Sequence, residues 1–522
     1  MDDGLLIALA VLLAYVALVY ILKSKGILEK HNMSNWGPFI MWRTRRGRDL
    51  IDKLAKPARF WRAYAAVGKG VVIAVMVAMM ALLIWEAFLV PSISADQAPS
   101  LNMLIGLPGI NPIIPIWYGI LGLVVAVFIH EFAHGILTRV GEMKVKALGI
   151  VLLVLPMGAF VEPDEEALVK VEKKKRTSVY AVGPATNVIF ALVCAFLFTA
   201  VVTSSAQVAH EGPVVLSVVG GSPASVAGFQ SGDQIVEING VPVASDGFND
   251  ITAPEPGTPV NITFYRSGEL MHATMISGVY ISSVNGGEPA SNAGITGGMI
   301  LASLNNATIY DYAGFRTVLE SITPGSTVNV SVMARDASGN YEVVPSITHL
   351  TTQSRASGNG TIAYLGVVVS YGGLGTSSPY VLLDYMAHPF AGDSSFGDFA
   401  TSTLRYIALP FYGIQPLSGS LTDVLIPGGI FAGMSPDLFW IMANSLYWLF
   451  WINIMVGMTN ALPAVPLDGG FLFRDWLDSL VGRIKKGTDE KQRERYVNSI
   501  TWAIALFVLF LIMWQFIGPR VL

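Results

Sequence analysis

Apolar residues along this chain gather in long blocks rather than in alternation. Runs close to the ~20 residues that cross a bilayer occupy residues 5–22, 71–90, 116–137, 179–202, 438–458 and 500–517. The core of a soluble protein does not supply six runs of that length, so about six membrane-spanning helices are expected. The stretch between the fourth and fifth runs follows another pattern. Short apolar segments at 214–219 and 279–284, punctuated by Gly and Pro, read as β-strands of an inserted region.

Composition agrees, with 52% hydrophobic and 13% charged residues, against about a quarter charged in soluble domains. The charges are segregated, and that gives a topology. Lys and Arg number twelve from Lys23 to Lys69, eight from Arg139 to Arg176 and seven from Arg474 to Arg495. Residues 205–437 hold five, and 94–114 hold none. Basic loops beside helix ends stay cytoplasmic. A multi-pass protein of the cell membrane is expected, with 23–69, 139–178 and 474–498 inside. The amino terminus, 94–114, 205–437 and the carboxyl terminus then lie outside. No small-residue cleavage site follows the first run, which reads as an anchor. The single cysteine, Cys194, excludes an internal disulfide framework and a cysteine-cluster metal site. Glu86 falls near the outer end of the second run and is given no catalytic role.

The outer region repeats itself. Gly221-Ser-Pro-Ala-Ser-Val-Ala-Gly228 returns as Gly287-Glu-Pro-Ala-Ser-Asn-Ala-Gly294, and Gly232, Ile235 and Asn239 are answered by Gly298, Leu301 and Asn305. Each copy reads as strand, short helix, strand and β-rich tail. The pattern resembles the PDZ domains of bacterial and archaeal proteases, which bind extended peptides at a sheet edge; a rigid lid or spacer is the other reading. The first copy looks short, its second helix having to fit near 246–251. Residues 396–411 read as an interfacial segment against the outer leaflet.

The chemistry lies at the ends of two runs. His130-Glu131-Phe132-Ala133-His134 is an H-E-x-x-H motif. Positions i and i+4 share a helix face, so both imidazoles can reach one metal ion, with Glu131 beside it to take a proton from water. Ionisable groups at membrane depth are costly and mark function. A catalytic zinc needs a third protein ligand and an open position. Asp468 is the candidate, within Asn460-Ala-Leu-Pro463-Ala-Val-Pro466-Leu467-Asp468-Gly469-Gly470. Broken backbone at membrane depth is tolerated only where protein buries it or water reaches it. The charge topology sets His134 and Asp468 at the same, cytoplasmic side.

H-E-F-A-H closing one run and N-x-x-P-x-x-P-L-D-G-G closing a later one are similar to the two signature motifs of the site-2 protease family of intramembrane zinc metalloproteases. The inserted copies resemble its PDZ-bearing prokaryotic branch. The resemblance covers about 116–470. It implies a three-span core (116–137, 179–202, 438–458) and zinc held by His130, His134 and Asp468, with Glu131 as general base. It also implies that Asn460, and Asn187 of Gly183-Pro184-Ala-Thr-Asn187, contact substrate. Residues 148–161, too short to cross twice, match its membrane-dipping β-hairpin. The expected fold is thus an α-helical polytopic membrane protein with two inserted β-rich PDZ-like domains. Two helices and a basic loop fill 1–93, and the first core part fills 94–204. The PDZ-like copies are 211–277 and 278–350, followed by a linker at 351–437. The second core part is 438–473, and an amphipathic segment with a last helix is 474–522. The expected activity is cleavage of transmembrane segments, in regulated intramembrane proteolysis. The expected partners are transmembrane protein substrates already cut by another protease, and the lipid bilayer, with no nucleic acid. A catalytically silent binder would lack one of the four motif residues, and all four are present. A secondary transporter would show paired broken helices in repeated halves, and the runs carry no such repeat.

Overall fold

The apolar runs fold as helices. Five helices among the described residues are long and apolar enough to cross a membrane: Ala58–Ser92, Ile116–Val140, Lys173–Ser205, Pro436–Asn460 and Glu490–Val521. The first run is helical as well, in Asp3–Ser24, but the side chains of residues 1–12 lie outside the described set. This computed structural model describes residues 3–31, 33–44, 48–93, 95, 98–153, 155–245, 254–336, 339–344, 347–357, 360–412, 421–484 and 489–521. The chain divides into two compact units. One holds 1–197, 407–413 and 444–522, and the other 198–406 and 414–443.

In the first unit, helices meet where side chains vanish. A Cβ on Gly122 would lie 2.7 Å from Ile452 Cγ1, and one on Gly457 would lie 3.1 Å from the Pro184 carbonyl. Small residues allow such approach between helices in lipid, where packing rather than water drives association. The helix Ile116–Val140 thereby contacts the one ending at Asn460, which in turn contacts Lys173–Phe196. The outward faces stay apolar, with Trp117, Phe128, Leu192, Phe196 and Phe510 exposed. Glu86 is not free in its span: Gln515 Nε2 donates to its carboxylate at 2.7 Å, tying Ala58–Leu89 to Glu490–Val521.

The segment after the motif helix forms a hairpin, β3 (Val145–Leu153) and β4 (Leu155–Pro163), as the resemblance implied. It is larger than expected. β1 (Met33–Trp36) and β2 (Phe39–Thr44) from the early basic loop add to it, giving a four-stranded antiparallel sheet in the order β1-β2-β3-β4.

The second unit carries the two matching segments. Strand, one-turn helix and strand recur as Val214–Val218, Pro223–Val226 and Gln234–Ile238, then as Val279–Val284, Pro289–Asn292 and Ile300–Leu304. The matched asparagines Asn239 and Asn305 both take left-handed backbone, at φ 49° and 51°. Asparagine tolerates that conformation better than most residues. The helix Tyr312–Ser321 belongs to the second segment; the position expected for its counterpart, near 246–251, lies outside the described residues. The expected boundary at 350 falls short. Strands Val367–Tyr371 and Leu374–Ser377 pair with Val279–Val284 and Val214–Val218 respectively, so the region read as linker closes one 13-stranded sheet through both segments. Pairing partners this distant in the chain, such as Val279 with Tyr371 and Val214 with Ser377, leave no local sequence signal. Helix Phe396–Ala408 exposes Phe396, Phe399 and Leu404.

Candidate metal centre

The motif helix Ile116–Val140 places His130, buried, and His134, half-buried, one turn apart. Asp468 reaches them from another element. It opens the helix Asp468–Ile484, where the positive end of the helix dipole favours a carboxylate. The helix begins there because Pro463 and Pro466 cannot extend the preceding one. It also sits hard against the loop that delivers it: a Cβ on Gly469 would lie 2.2 Å from the Ala461 carbonyl oxygen, and one on Gly470 2.5 Å from the Ala464 carbonyl carbon. The two glycines after Asp468 are therefore required by backbone contact.

The three side chains converge. His130 Nε2 lies 3.0 Å and His134 Nε2 3.2 Å from the same Asp468 oxygen, Oδ2, and the two Nε2 atoms are 3.1 Å apart. One donor atom from each residue lies within 4.8 Å of the others. The outer nitrogens decide what these contacts are. His134 Nδ1 stands 2.8 Å from the Val179 carbonyl, which only accepts, so Nδ1 carries the proton. His130 Nδ1 stands 3.1 Å from Asn187 Oδ1. The amide of Asn187 is oriented in turn, its Nδ2 donating to the Ala126 carbonyl at 3.2 Å and to Asn453 Oδ1 at 3.4 Å. Asn453 Nδ2 donates to the Leu449 carbonyl at 2.7 Å. This relay leaves a lone pair on each Nε2. Two lone pairs and a carboxylate oxygen meeting at about 3 Å repel one another unless a cation lies among them, so the residues fit a divalent metal with N/O preference such as zinc. Backing carbonyls and amides of this kind fix ligand tautomers in metal sites.

Space for an ion exists because residue 183 is glycine. A Cβ there would sit 2.4 Å from His134 Nε2 and 2.7 Å from His130 Nε2. Glu131, on the next residue of the motif helix, accepts from the backbone N–H of Val161 on β4 at 2.8 Å. Of the sequence-expected residues, His130, His134 and Asp468 are brought together and Glu131 lies next to them in the chain. Asn187 differs from its expected position. It is fully buried behind His130, with its Oδ1 facing His130 Nδ1 and its Nδ2 the Ala126 carbonyl. Asn460 is half-buried, its Nδ2 donating to the Val456 carbonyl of its own helix at 3.1 Å. Asn453, fully buried, was missed; its signal is that it is one of two amides, with Asn444, in the apolar run 438–458. The Val179 carbonyl has no sequence signal, since a backbone acceptor leaves none.

A membrane helix carrying H-E-x-x-H against a facing carboxylate defines a membrane metalloprotease. The family model of Peptidase family M50 matches residues 118–508, and the chain belongs to that family, as a zinc metalloprotease of the site-2 type. A protein of Methanocaldococcus jannaschii named as uncharacterised is 27% identical over 320 residues, 59% of this chain and 78% of that one. A protein of Neisseria meningitidis named "Putative zinc metalloprotease" is 22% identical over 428 residues, 68% of this chain and 88% of that one. An Agrobacterium fabrum protein of the same name is 28% identical over 200 residues, 30% and 51% of the two chains.

Proposed function

We propose that this chain cleaves transmembrane segments of membrane proteins within the bilayer, with zinc held by His130, His134 and Asp468. The observation that carries the reading is the convergence of those donor atoms, with lone pairs fixed by Asn187 and the Val179 carbonyl, at the end of an apolar helix. Zinc held there would supply a Lewis acid for a scissile carbonyl and lower the pKa of water toward neutral pH. Glu131 takes the proton of the attacking water and passes it to the departing amine. Asn460 closes the third core helix and contacts substrate backbone. A peptide bond in a helix hides its carbonyl, so the substrate must unwind. β4 is the outer strand of its sheet and carries the amide that Glu131 accepts; an unwound segment adds along it.

The remaining features extend this reading. Six spans, counting Asp3–Ser24, agree with the distribution of Lys and Arg and set the protein multi-pass in the cell membrane, with the zinc site toward the cytoplasm. The β-rich copies, PDZ-like and extracytoplasmic, restrict which substrates approach, and those already shortened outside by another protease are preferred. Helix Phe396–Ala408, with its exposed aromatic residues, rests on the outer leaflet. The test is co-expression of Glu131→Gln with the membrane proteome of its host. Single-span proteins should accumulate uncut while zinc stays bound. Equal cleavage by Glu131→Gln and the unmodified chain would exclude the role given to Glu131.

A further inference from the structure

The early basic loop lies close to the hairpin that touches Glu131, and no motif accounts for it. β2 runs antiparallel to β3 in continuous register, Ile40 opposite Leu152 through Thr44 opposite Leu148. Arg43 reaches further. Opposite it stands Gly149, and opposite Gly149 stands Phe160. A Cβ at 149 would lie 2.1 Å from the Phe160 ring. With none there, the Arg43 guanidinium stands 5.9 Å from the Phe160 ring centroid. It donates to Glu162 at 3.1 Å, two strands away on β4, and also to Ser34 on β1. One side chain thus ties β1 and β2 to the strand beside Glu131.

The short helix Arg48–Ala55 makes the second connection. Glu131, Gly135 and Arg139 occupy one face of the motif helix at successive turns. Arg139 pairs with Asp52 at 2.5 Å. Ile51 is fully buried, and a Cβ on Gly135 would lie 2.8 Å from its Cδ1 and 3.2 Å from Val161 Cγ1. Gly135 is the niche where Ile51 and Val161 both press, one turn from the carboxylate that the Val161 N–H holds.

We infer that β1, β2 and the helix Arg48–Ala55 are a positioning element of the catalytic centre: through Arg43 and Ile51 they hold β4 against the motif helix, and β4 orients Glu131 through the Val161 amide. This rests on the role proposed for Glu131. The segment lies outside the catalytic motifs and contributes none of the three metal-binding residues, so its effect is on rate and not on metal.

The test uses the full chain in detergent, with a quenched-fluorescent peptide of one apolar transmembrane segment that the unmodified enzyme cuts. Ile51→Ala should lower kcat about tenfold, as a small misplacement of a catalytic group does, with KM and zinc per chain unchanged, while the cavity it opens in the core lowers the melting temperature. Ile51→Val should recover most of the rate. Val161→Pro removes the N–H donated to Glu131, so it should give a similar deficit. Combined with Ile51→Ala it should add little, since both act on one group. Independently, Trp42→Cys with Ile150→Cys, facing pairs on β2 and β3, should cross-link in a Cys194→Ala background. A full kcat in Ile51→Ala, a deficit that comes with zinc loss, a deficit that Ile51→Val does not recover, additive deficits, or no cross-link would each overturn the inference. An active Glu131→Gln would instead remove the reading on which it rests.

Discussion

At the scale of single residues, the site depends as much on an absent side chain and an uncharged amide as on its charged groups. Zinc sits ~2.0–2.1 Å from histidine nitrogen, and the Cβ of an alanine at 183 would lie 2.4 Å from His134 Nε2. Gly183→Ala should therefore leave a folded protein with little zinc, read by metal analysis beside circular dichroism in detergent. Full occupancy would show that the imidazoles can swing aside. His130→Ala and Asp468→Ala should likewise lose most of the metal; zinc retained in Asp468→Ala would mean the third ligand is another residue. Asn453→Ala tests the relay behind His130. Removing a direct histidine partner costs ~10–100-fold in metal affinity; Asn453 acts one step further back, through Asn187, so its loss should cost less, measured by competition with a chelator. His130, Glu131 and His134 were legible because ionisable residues in an apolar run stand out, and Asp468 because a Pro/Gly-broken segment follows a later run. Asn453, Gly183 and the Val179 carbonyl were not legible as site groups, because an amide, a missing Cβ and a backbone oxygen acquire their roles only from what faces them.

At the scale of elements, the break between Asn460 and Asp468 does the aiming. The loop is buried at Ala461, Leu462, Pro463 and Ala464, and the next helix starts against its backbone. A methyl at 470 has no flexible side chain to displace, only the Ala464–Val465 backbone at about 2.5 Å. Gly470→Ala should lower the melting temperature in detergent and loosen zinc together, because the strain falls on the helix turn that carries Asp468. Loss of neither would mean that the loop yields without moving the carboxylate. The long helices could be read from the sequence directly, since ~20 apolar residues in lipid have only one way to satisfy their backbone in a single span. The hairpin was also readable as apolar and too short to cross. Its pairing with residues 33–44 was not, and neither was the closure of the outer sheet by 367–377. In both cases the hydrogen-bond partners come from distant sequence, and strands of four to six residues carry little pattern alone.

At the scale of the whole molecule, the expected topology and the role of the outer region can be tested in sequence. Glu269 is exposed on an edge strand of the second unit, and Cys194 is buried. Glu269→Cys in a Cys194→Ala background should react with an impermeant thiol reagent on intact cells, and Lys53→Cys only after lysis; the reverse pattern would invert the topology. With orientation fixed, the outer region can be removed. Deleting only the two expected copies would orphan strands Val367–Tyr371 and Leu374–Ser377, which pair with both. The deletion has to span 212–377. All three zinc-binding residues belong to the other unit, so loss of this sheet should leave zinc bound while relaxing substrate choice. Substrates with bulky outer portions should then be cut, whereas the intact enzyme should prefer trimmed ones. A groove that must capture a new carboxyl terminus before cutting makes the opposite prediction. One substrate with a long and a short outer portion, set against intact and deleted enzyme, separates the two. Cleavage of the long form by the deleted enzyme alone supports exclusion by size, and loss of short-form cleavage with zinc still bound would establish capture instead.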